Sequence, residues 1–99
     1  MPTGSSRSLL RLKPALLPQV RYRREREGAI LFDLSTSGIY ATNPAGLTIL
    51  NRMNGRASCV QILDHLECRF TSVSRRTLQR DLRSFLRALQ NAGLIDLQA

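Results

Sequence analysis

The sequence predicts an α+β domain in which a three-stranded antiparallel β meander is followed by three helices in winged helix-turn-helix-like order. Short strand-like runs separated by turn residues occupy positions 20–42, and apolar residues recur at helical spacing from residue 44 onward. The chain has 99 residues, of which 42% are hydrophobic. That is enough for one core and excludes a multi-domain enzyme.

The first 18 residues are predicted to form a flexible or extended N-terminal segment, and the domain itself is predicted to span residues 19–97. Residues 1–8 are small and polar without a period, which predicts disorder. Residues 9–18 carry five leucines around two prolines, which favours an extended segment laid against the body of the domain over a helix. No apolar run reaches the roughly 7 residues of a signal-peptide core or the ~20 residues of a membrane span, so no membrane partner is expected.

Three short strands are expected before the first helix. Residues 20–24 alternate between apolar and basic, residues 25–28 supply a turn, and residues 29–33 are an apolar run of strand length, so these two strands form a hairpin. Residues 35–38 make a second turn, and residues 39–42 form the third strand from sheet-favouring residue types.

Capping residues predict where the three helices begin and end. The Asn-Pro pair at residues 43–44 is typical of an N-cap followed by proline at the first helical position. Ser58 has capping-box spacing to a glutamine three residues later, and Ser74 caps a third, longer helix. Gly93 ends that helix as a left-handed stop, and residues 94–97 form a terminal strand or extended tail.

The charge is strongly positive. Fifteen Lys and Arg, fourteen of them Arg, face seven Asp and Glu, which gives a net charge of +8. An acidic or phosphorylated partner is therefore the first candidate.

The third helix has an apolar seam and, almost opposite, a ridge of arginines. The seam comprises Leu78, Leu82, Phe85, Leu86 and Leu89, and the ridge comprises Arg76, Arg80, Arg83 and Arg87. The ridge is either a solvated face or a surface that docks an anion. Arg75 and Arg76 favour the second interpretation. Cations in the first turn of a helix are unfavourable by about 0.3 to 1 kcal/mol each, and an acidic ligand would offset this cost.

The third strand has the features of an open sheet edge. If the strand order follows the meander, residues 38–42 present unpaired backbone groups and carry no Lys, Pro or charge that would block pairing. An extended peptide could add there, with a neighbouring helix as the second wall of its groove. In the alternative, the leucine-rich N-terminal segment covers this edge.

The sequence predicts no catalytic or metal site. His65, the one histidine, lies near Asp64 and Glu67 in the second helix, but no nucleophile and base can be assembled around it. Cys59 and Cys68 lie about 13 Å apart along that helix, too far for a disulfide. They also miss every zinc spacing. We expect a reduced, cytoplasmic protein without cofactors.

The run IYATNPAGLTIL at residues 39–50, followed by Met-Asn-Gly at 53–55 and Val-Gln-Ile at 60–62, resembles the PqqD-like family. The end of the third helix and its Gly-Leu-Ile finish, within residues 85–95, are also similar to that family. The likeness covers about residues 16–97.

This resemblance implies a RiPP recognition element, a non-catalytic module for ribosomally made and post-translationally modified peptides. Such a module holds the leader of a precursor peptide and presents the core to a modifying enzyme, often a radical S-adenosylmethionine (SAM) enzyme. In the family, the leader adds as a strand beside the third strand and packs against the third helix. The corresponding positions here are Gly38, Ile39, Tyr40, Ala41 and Thr42 on the strand, and Arg75, Gln79, Leu82, Arg83 and Leu86 on the helix. The arginines predict an acidic-to-amphipathic leader.

Two other function classes fit parts of the pattern. A winged-helix DNA-binding regulator would use the net charge and the five arginines of the third helix against phosphates. Against it, only about six residues follow that helix, too few for a wing hairpin, and the strands precede the helices. The third class is an oligomerising scaffold, such as a homodimer, in which the open edge pairs with its own copy. DNA affinity should collapse between about 50 and 200 mM salt, whereas a strand-pairing peptide should lose much less.

Overall fold

The computed structural model describes residues 6–99. Its elements are α1 (Ser6–Arg11), β1 (Lys13–Leu16), β2 (Val20–Glu25), β3 (Gly28–Asp33), β4 (Gly38–Thr42), α2 (Pro44–Leu50), α3 (Cys59–Arg69), α4 (Arg75–Asn91) and β5 (Ile95–Gln98). The predicted α+β class, with a meander followed by three helices, is confirmed. None of the described helices is both long enough and apolar enough to cross a bilayer.

The meander forms one antiparallel sheet in the order β2-β3-β4. Its register places Tyr22 opposite Leu31 and Leu31 opposite Tyr40. Because side chains alternate between the two faces of a strand, Leu31 and its neighbours two residues away point towards the helices. Ala29 and Leu31 are 1% exposed, and they join the core against α2.

Local capping chemistry sets the helix boundaries as predicted. The Asn43 side chain accepts a hydrogen bond from the Gly46 amide at 2.8 Å, and both halves of the capping box are formed at Ser58. Ser74 caps α4, and Gly93 follows it with a φ of +74°. These bonds satisfy amide donors that a helix start otherwise leaves without partners.

The core lies between the sheet and the three long helices. The four buried residues of α4 are Leu78, Leu82, Leu86 and Leu89. They meet Ile62, Leu63 and Leu66 of α3, and Ile49 and Leu50 of α2, in one buried cluster. Each fully buried leucine stabilises the fold by about 1.5–3 kcal/mol relative to its exposed state. This packing fixes the rotation of α4 about its own axis.

The N-terminal segment is part of the fold, so the expectation that folding starts near Gln19 is wrong. β1 pairs antiparallel with β5, with Lys13 opposite Gln98. Pro14 is buried, although it interrupts the leucine-rich run. Proline is tolerated there because β1 is an edge strand of a two-stranded sheet.

α1 corrects a second expectation, since residues 6–11 are helical where the sequence predicted disorder and an extended chain. Both prolines lie beyond this stretch, at positions 14 and 18, so nothing in residues 6–11 opposes a helix. α1 packs against α3, and Leu9 and Leu10 contact the buried cluster. The predicted disorder of residues 1–5 lies outside the described residues.

The β1–β5 ribbon also overturns one objection to a winged helix. The chain after α4 is too short to form a hairpin with itself, but it forms a two-stranded ribbon by pairing with β1. β5 directly follows α4 in the chain and contacts it.

Candidate functional site

β4 is an edge strand whose outer side is free within residues 6–99. β3 pairs with its inner side over the whole length from Gly38 to Thr42. The leucine-rich N-terminal segment pairs with β5 instead, so the alternative in which it covers β4 is wrong. Ile39 is 67% exposed and Tyr40 is 36% exposed. The strand therefore presents both backbone groups and side chains to a partner.

A groove of about 360 Å³ runs between β4, the start of α2 and α4. Its walls are formed by Tyr40, Ala41, Thr42, Asn43, Ala45, Gly46, Asp81, Phe85, Ala88 and Ala92, and its floor by Leu31, Ile49 and Leu89. Most of these residues are apolar, and Asp81 is the one charged residue among them. An apolar cleft beside a free strand edge has the shape and chemistry to hold an extended polypeptide.

Two glycines allow the close packing around this groove. A Cβ on Gly46 would lie 1.6 Å from Thr42 Oγ1 and 3.1 Å from the Phe85 ring, so only glycine leaves room between α2 and its neighbours. Gly28 has a φ of +145°, and a Cβ there would lie 1.8 Å from the Thr42 carbonyl oxygen. Gly28 thus lets the start of β3 pack against the end of β4.

α4 turns a different flank to the groove than the sequence predicted. Leu82 and Leu86 are each 1% exposed in the core, so their expected place on the groove surface is wrong. Arg75, Gln79 and Arg83 lie on the far flank, where they line a separate depression of about 400 Å³. Whether they contact a peptide stays a prediction, but they do not share a groove with β4.

Besides Leu89 on the floor, α4 contributes Asp81, Phe85 and Ala88 to the groove wall, and its C-cap residue Ala92 continues the row. Their spacing of four, three and four residues is that of one helical stripe. Sequence reasoning placed Phe85 in the apolar seam and missed the other three. The helical spacing of these residues was visible in the sequence. That spacing shows which face of α4 is buried in the core, but it does not show on which side of that face β4 lies.

Arg75, one of the two arginines in the first turn of α4, has its charge balanced by two carboxylates of α3. Arg75 Nη1 donates to Asp64 Oδ1 at 2.8 Å and also to a Glu67 carboxylate oxygen. These two hydrogen bonds raise the pKa of Arg75 above its ordinary value. The pairing removes Arg75 from the argument for an acidic ligand at the start of α4.

The potential catalytic groups lie apart from the groove. Burial raises the pKa of the Cys59 thiol to about 11, so this cysteine is protonated at neutral pH. Cys68 is exposed, and neither cysteine is in a disulfide. No three potential ligands among the described residues are grouped so as to hold a metal ion.

Comparisons with known proteins agree with this architecture. Residues 28–95 match the family described as coenzyme PQQ synthesis protein D (PqqD). The chain is also similar to a structure of TbiB1 in complex with the TbiA(beta) leader peptide. The TM-score is 0.72 with 29% sequence identity, over 83% of this chain and 94% of that one.

A second structure, lasso peptide synthetase B1 complexed with the leader peptide, has a TM-score of 0.70 and 21% identity, over 85% of this chain and 98% of that one. At that identity it shows the shared fold. No curated protein sequence is significantly similar to the chain. The family match spans more than half of the sequence and contains both walls of the groove, from β3 to the end of α4. This chain therefore belongs to the PqqD family.

Proposed function

We propose that this protein is a non-catalytic RiPP recognition element. It binds the leader of a precursor peptide in the groove between β4 and α4, and presents the peptide to a modifying enzyme. The observation that carries the proposal is the unguarded outer side of β4 beside an apolar groove. The TbiB1 structure, described as a leader-peptide complex, supports it at 29% identity.

The leader adds to β4 as a fourth strand of the sheet. Its backbone groups pair with the free edge over about five residues, the length of Gly38–Thr42. Alternate side chains then point into the groove, towards Phe85 and Leu89, while the others point to the opposite face of the sheet, where Ile39 lies. Main-chain pairing supplies affinity, and the groove selects the inward side chains.

The inward side chains of the leader are apolar, because the groove walls are. Asp81 is the one charge there, and it would repel an acidic side chain. The expectation of an acidic leader therefore gains no support from the groove itself. Any acidic preference must come from another part of the surface.

The receiving enzyme is proposed on the resemblance alone. PqqD-like proteins often serve radical SAM enzymes, and we propose such an enzyme as the partner. The two structural neighbours carry no argument for that enzyme class. The cytoplasmic location expected from the cysteines stays a prediction.

Strand addition is tested with a peptide selected on the immobilised protein from a displayed random library. Amide hydrogen exchange should slow at residues 38–42 when the peptide binds and stay unchanged at residues 20–25. Single N-methylation along the peptide should weaken binding at every second position, because alternate amides pair with β4. Protection elsewhere, or a loss without this two-residue period, would count against the proposal.

A further inference from the structure

A second cavity, of about 550 Å³, lies on the other side of α2 from the groove. Four arginines and the one histidine of the chain line it, and we call it the arginine basin. These residues are Arg24, Arg26, Arg52, Arg69 and His65. They come from the end of β2 and the turn after it, from the residues just after α2, and from α3, so three separate regions bring positive charge to one place.

The positive charge of the basin is not neutralised by the residues around it. Glu25 is the one acidic residue of the lining, and its carboxylate lies 3.3 Å from Arg23 Nε. Among residues 6–99, no ion pair joins the four basin arginines to a carboxylate.

The other polar groups of the lining are already engaged. The Asn51 side-chain oxygen accepts from the Tyr22 hydroxyl at 2.8 Å, and the Thr48 hydroxyl donates to the Pro44 carbonyl at 3.1 Å. The basin therefore offers guanidinium donors and few acceptors, which suits an anion.

His65 lies among these cations, so the protonation of its ring would respond to a bound anion. Arg52 Nη2 is 3.2 Å from His65 Nδ1 and 3.3 Å from Nε2. Burial and the charges of Arg52 and Arg69 lower the pKa of His65. The charged groups that share the basin with it are these two arginines, just after α2 and at the end of α3, with Arg24 and Glu25 of β2 and Arg26 of the turn after it. A bound carboxylate would offset the cations and raise that pKa.

The basin begins where β4 ends. Gly28 lines the basin and touches the Thr42 carbonyl, since a Cβ on it would lie 1.8 Å from that oxygen. Pro44 lines the basin, whereas Ala45 lines the groove. Only the first turn of α2, about 10 Å wide, separates the two cavities. An extended chain crosses that distance in about three residues.

We propose that the arginine basin binds the carboxylates of the leader segment that continues past the Thr42 end of β4. Guanidinium groups bind carboxylates with two parallel hydrogen bonds, which favours glutamate and aspartate over neutral side chains. The inference rests on the proposed function, since it assumes that the same peptide occupies the groove. It places the acidic part of the leader about three residues from its apolar, strand-forming part.

The first experiment tests the basin without the groove. Acetyl-tetraglutamate amide is titrated into the protein, with acetyl-tetraglutamine amide as the neutral probe, and the His65 ring proton is followed by NMR against pH. The acidic probe should raise the titration midpoint by roughly half a pH unit, and the neutral probe should not. An R52Q/R69Q variant should bind the acidic probe about fivefold more weakly than the parent protein.

The matched control is R76Q/R80Q on α4, which removes the same charge away from the basin. Equal losses in the two double variants would mean a general charge effect, and would overturn the inference. A short DNA duplex that moved the His65 signal at far lower concentration than the acidic probe would overturn it too, because the basin would then serve nucleic acid.

The second experiment links the basin to the groove. Two glutamates are added about three residues before, or about three residues after, the strand-forming part of the selected peptide. One of the two extensions should tighten binding about fivefold in the parent protein and not in R52Q/R69Q. If neither does while the two-residue N-methyl pattern persists, the basin inference fails and the proposed function stands. If that pattern is absent from every peptide, the proposed function fails.

Discussion

The two outer strands of the β2–β3–β4 sheet differ in the charge of their side chains. β2 carries four charged residues among six, at Arg21, Arg23, Arg24 and Glu25, and all four are exposed. β4 carries none in its five residues. Charged side chains on an edge strand discourage further strand pairing. The charge pattern therefore opposes further strand pairing at β2 and does not oppose it at β4.

The space behind each edge differs as well. On the helix side of β2, Tyr22 donates a hydrogen bond to Asn51, the C-cap residue of α2, and on the opposite face of the sheet Arg23 lies over the Phe32 ring at 5.6 Å from its centroid. Behind β4, the helices leave the groove open beside Phe85. An edge can become a binding site when free backbone groups and room for side chains occur together. β4 combines an uncharged edge with an apolar groove, whereas the cavity beside β2 is the charged arginine basin.

The largest expected effect is a loss of stability when a substitution disrupts the pairing between β3 and β4. Gly28→Ala places a methyl group 1.8 Å from the Thr42 carbonyl oxygen at a φ of +145°. The end of the β3–β4 ladder must open, and we expect a loss of about 2–4 kcal/mol in the free energy of unfolding. Urea denaturation measures it. Gly93→Ala is the control, since φ there is +74° with no atom within 4 Å of the new Cβ. A cost for Gly28→Ala no larger than for Gly93→Ala would contradict this account.

The next effect separates the two flanks of α4. Phe85→Ala removes the one aromatic side chain that α4 contributes to the groove wall and should weaken binding of the selected peptide about tenfold. Arg83→Met, two residues away on the other flank, should change affinity less than about twofold. Arg83→Met should also leave stability unchanged or raise it, because Arg83 Nε is buried without a hydrogen-bond partner. Calorimetric titration and urea unfolding check both variants, and the reverse order of affinities would restore the arginine flank as the binding wall.

Removing the arginines that discourage strand pairing at β2 should make its edge open to pairing, as the edge of β4 is. The double variant R21T/R23T leaves strand-favouring residues there and should self-associate weakly, at concentrations of about 0.1 mM and above. Sedimentation velocity detects the association. Ile39→Thr on β4 is the matched control and should not increase association. A monomeric double variant would show that the arginines are not what protects this edge.

The smallest effect concerns the turn that leads into β4. Asp33 accepts hydrogen bonds from the Ser35 hydroxyl at 2.6 Å and the Ser35 amide at 2.9 Å. These bonds lower the pKa of Asp33 below its ordinary value of 3.8. The unfolded chain therefore binds the proton first, so this contribution to stability is present above about pH 4 and is lost as the pH falls through the folded-state pKa.

Urea unfolding between about pH 2 and pH 6 tests this contribution. Asp33→Asn should flatten the acidic part of the stability profile, and Ser35→Ala should flatten it partly by removing the hydroxyl donor. An unchanged profile in both variants would assign the acid sensitivity to other carboxylates.

Much of the fold was predictable because its signals are local. The caps at Asn43, Ser58 and Ser74 each depend on residues within three positions, and all three form. The β1–β5 pairing was not predictable in the same way. Lys13 and Gln98 are 85 positions apart, and nothing near either residue indicates the other.

The site was half predictable for a related reason. The uncharged third strand indicated an open edge at residues 38–42, and the structure places that strand at the edge of the sheet. The helical wall depends on the rotation of α4 against β4, which tertiary packing sets. Phe85 and Asp81 lie on one side of the buried leucine seam and Arg83 on the other. The helical spacing of the sequence does not distinguish between these two sides of the seam.

The β1–β5 ribbon has a mechanical consequence. The first residue of β1 lies opposite the last residue of β5, so tension on the two ends would peel the ribbon apart one rung at a time instead of sliding one strand past the other. An unfoldase that pulls on the residue 98 side would therefore break the ribbon one residue pair at a time before any tension reached the β2–β3–β4 sheet.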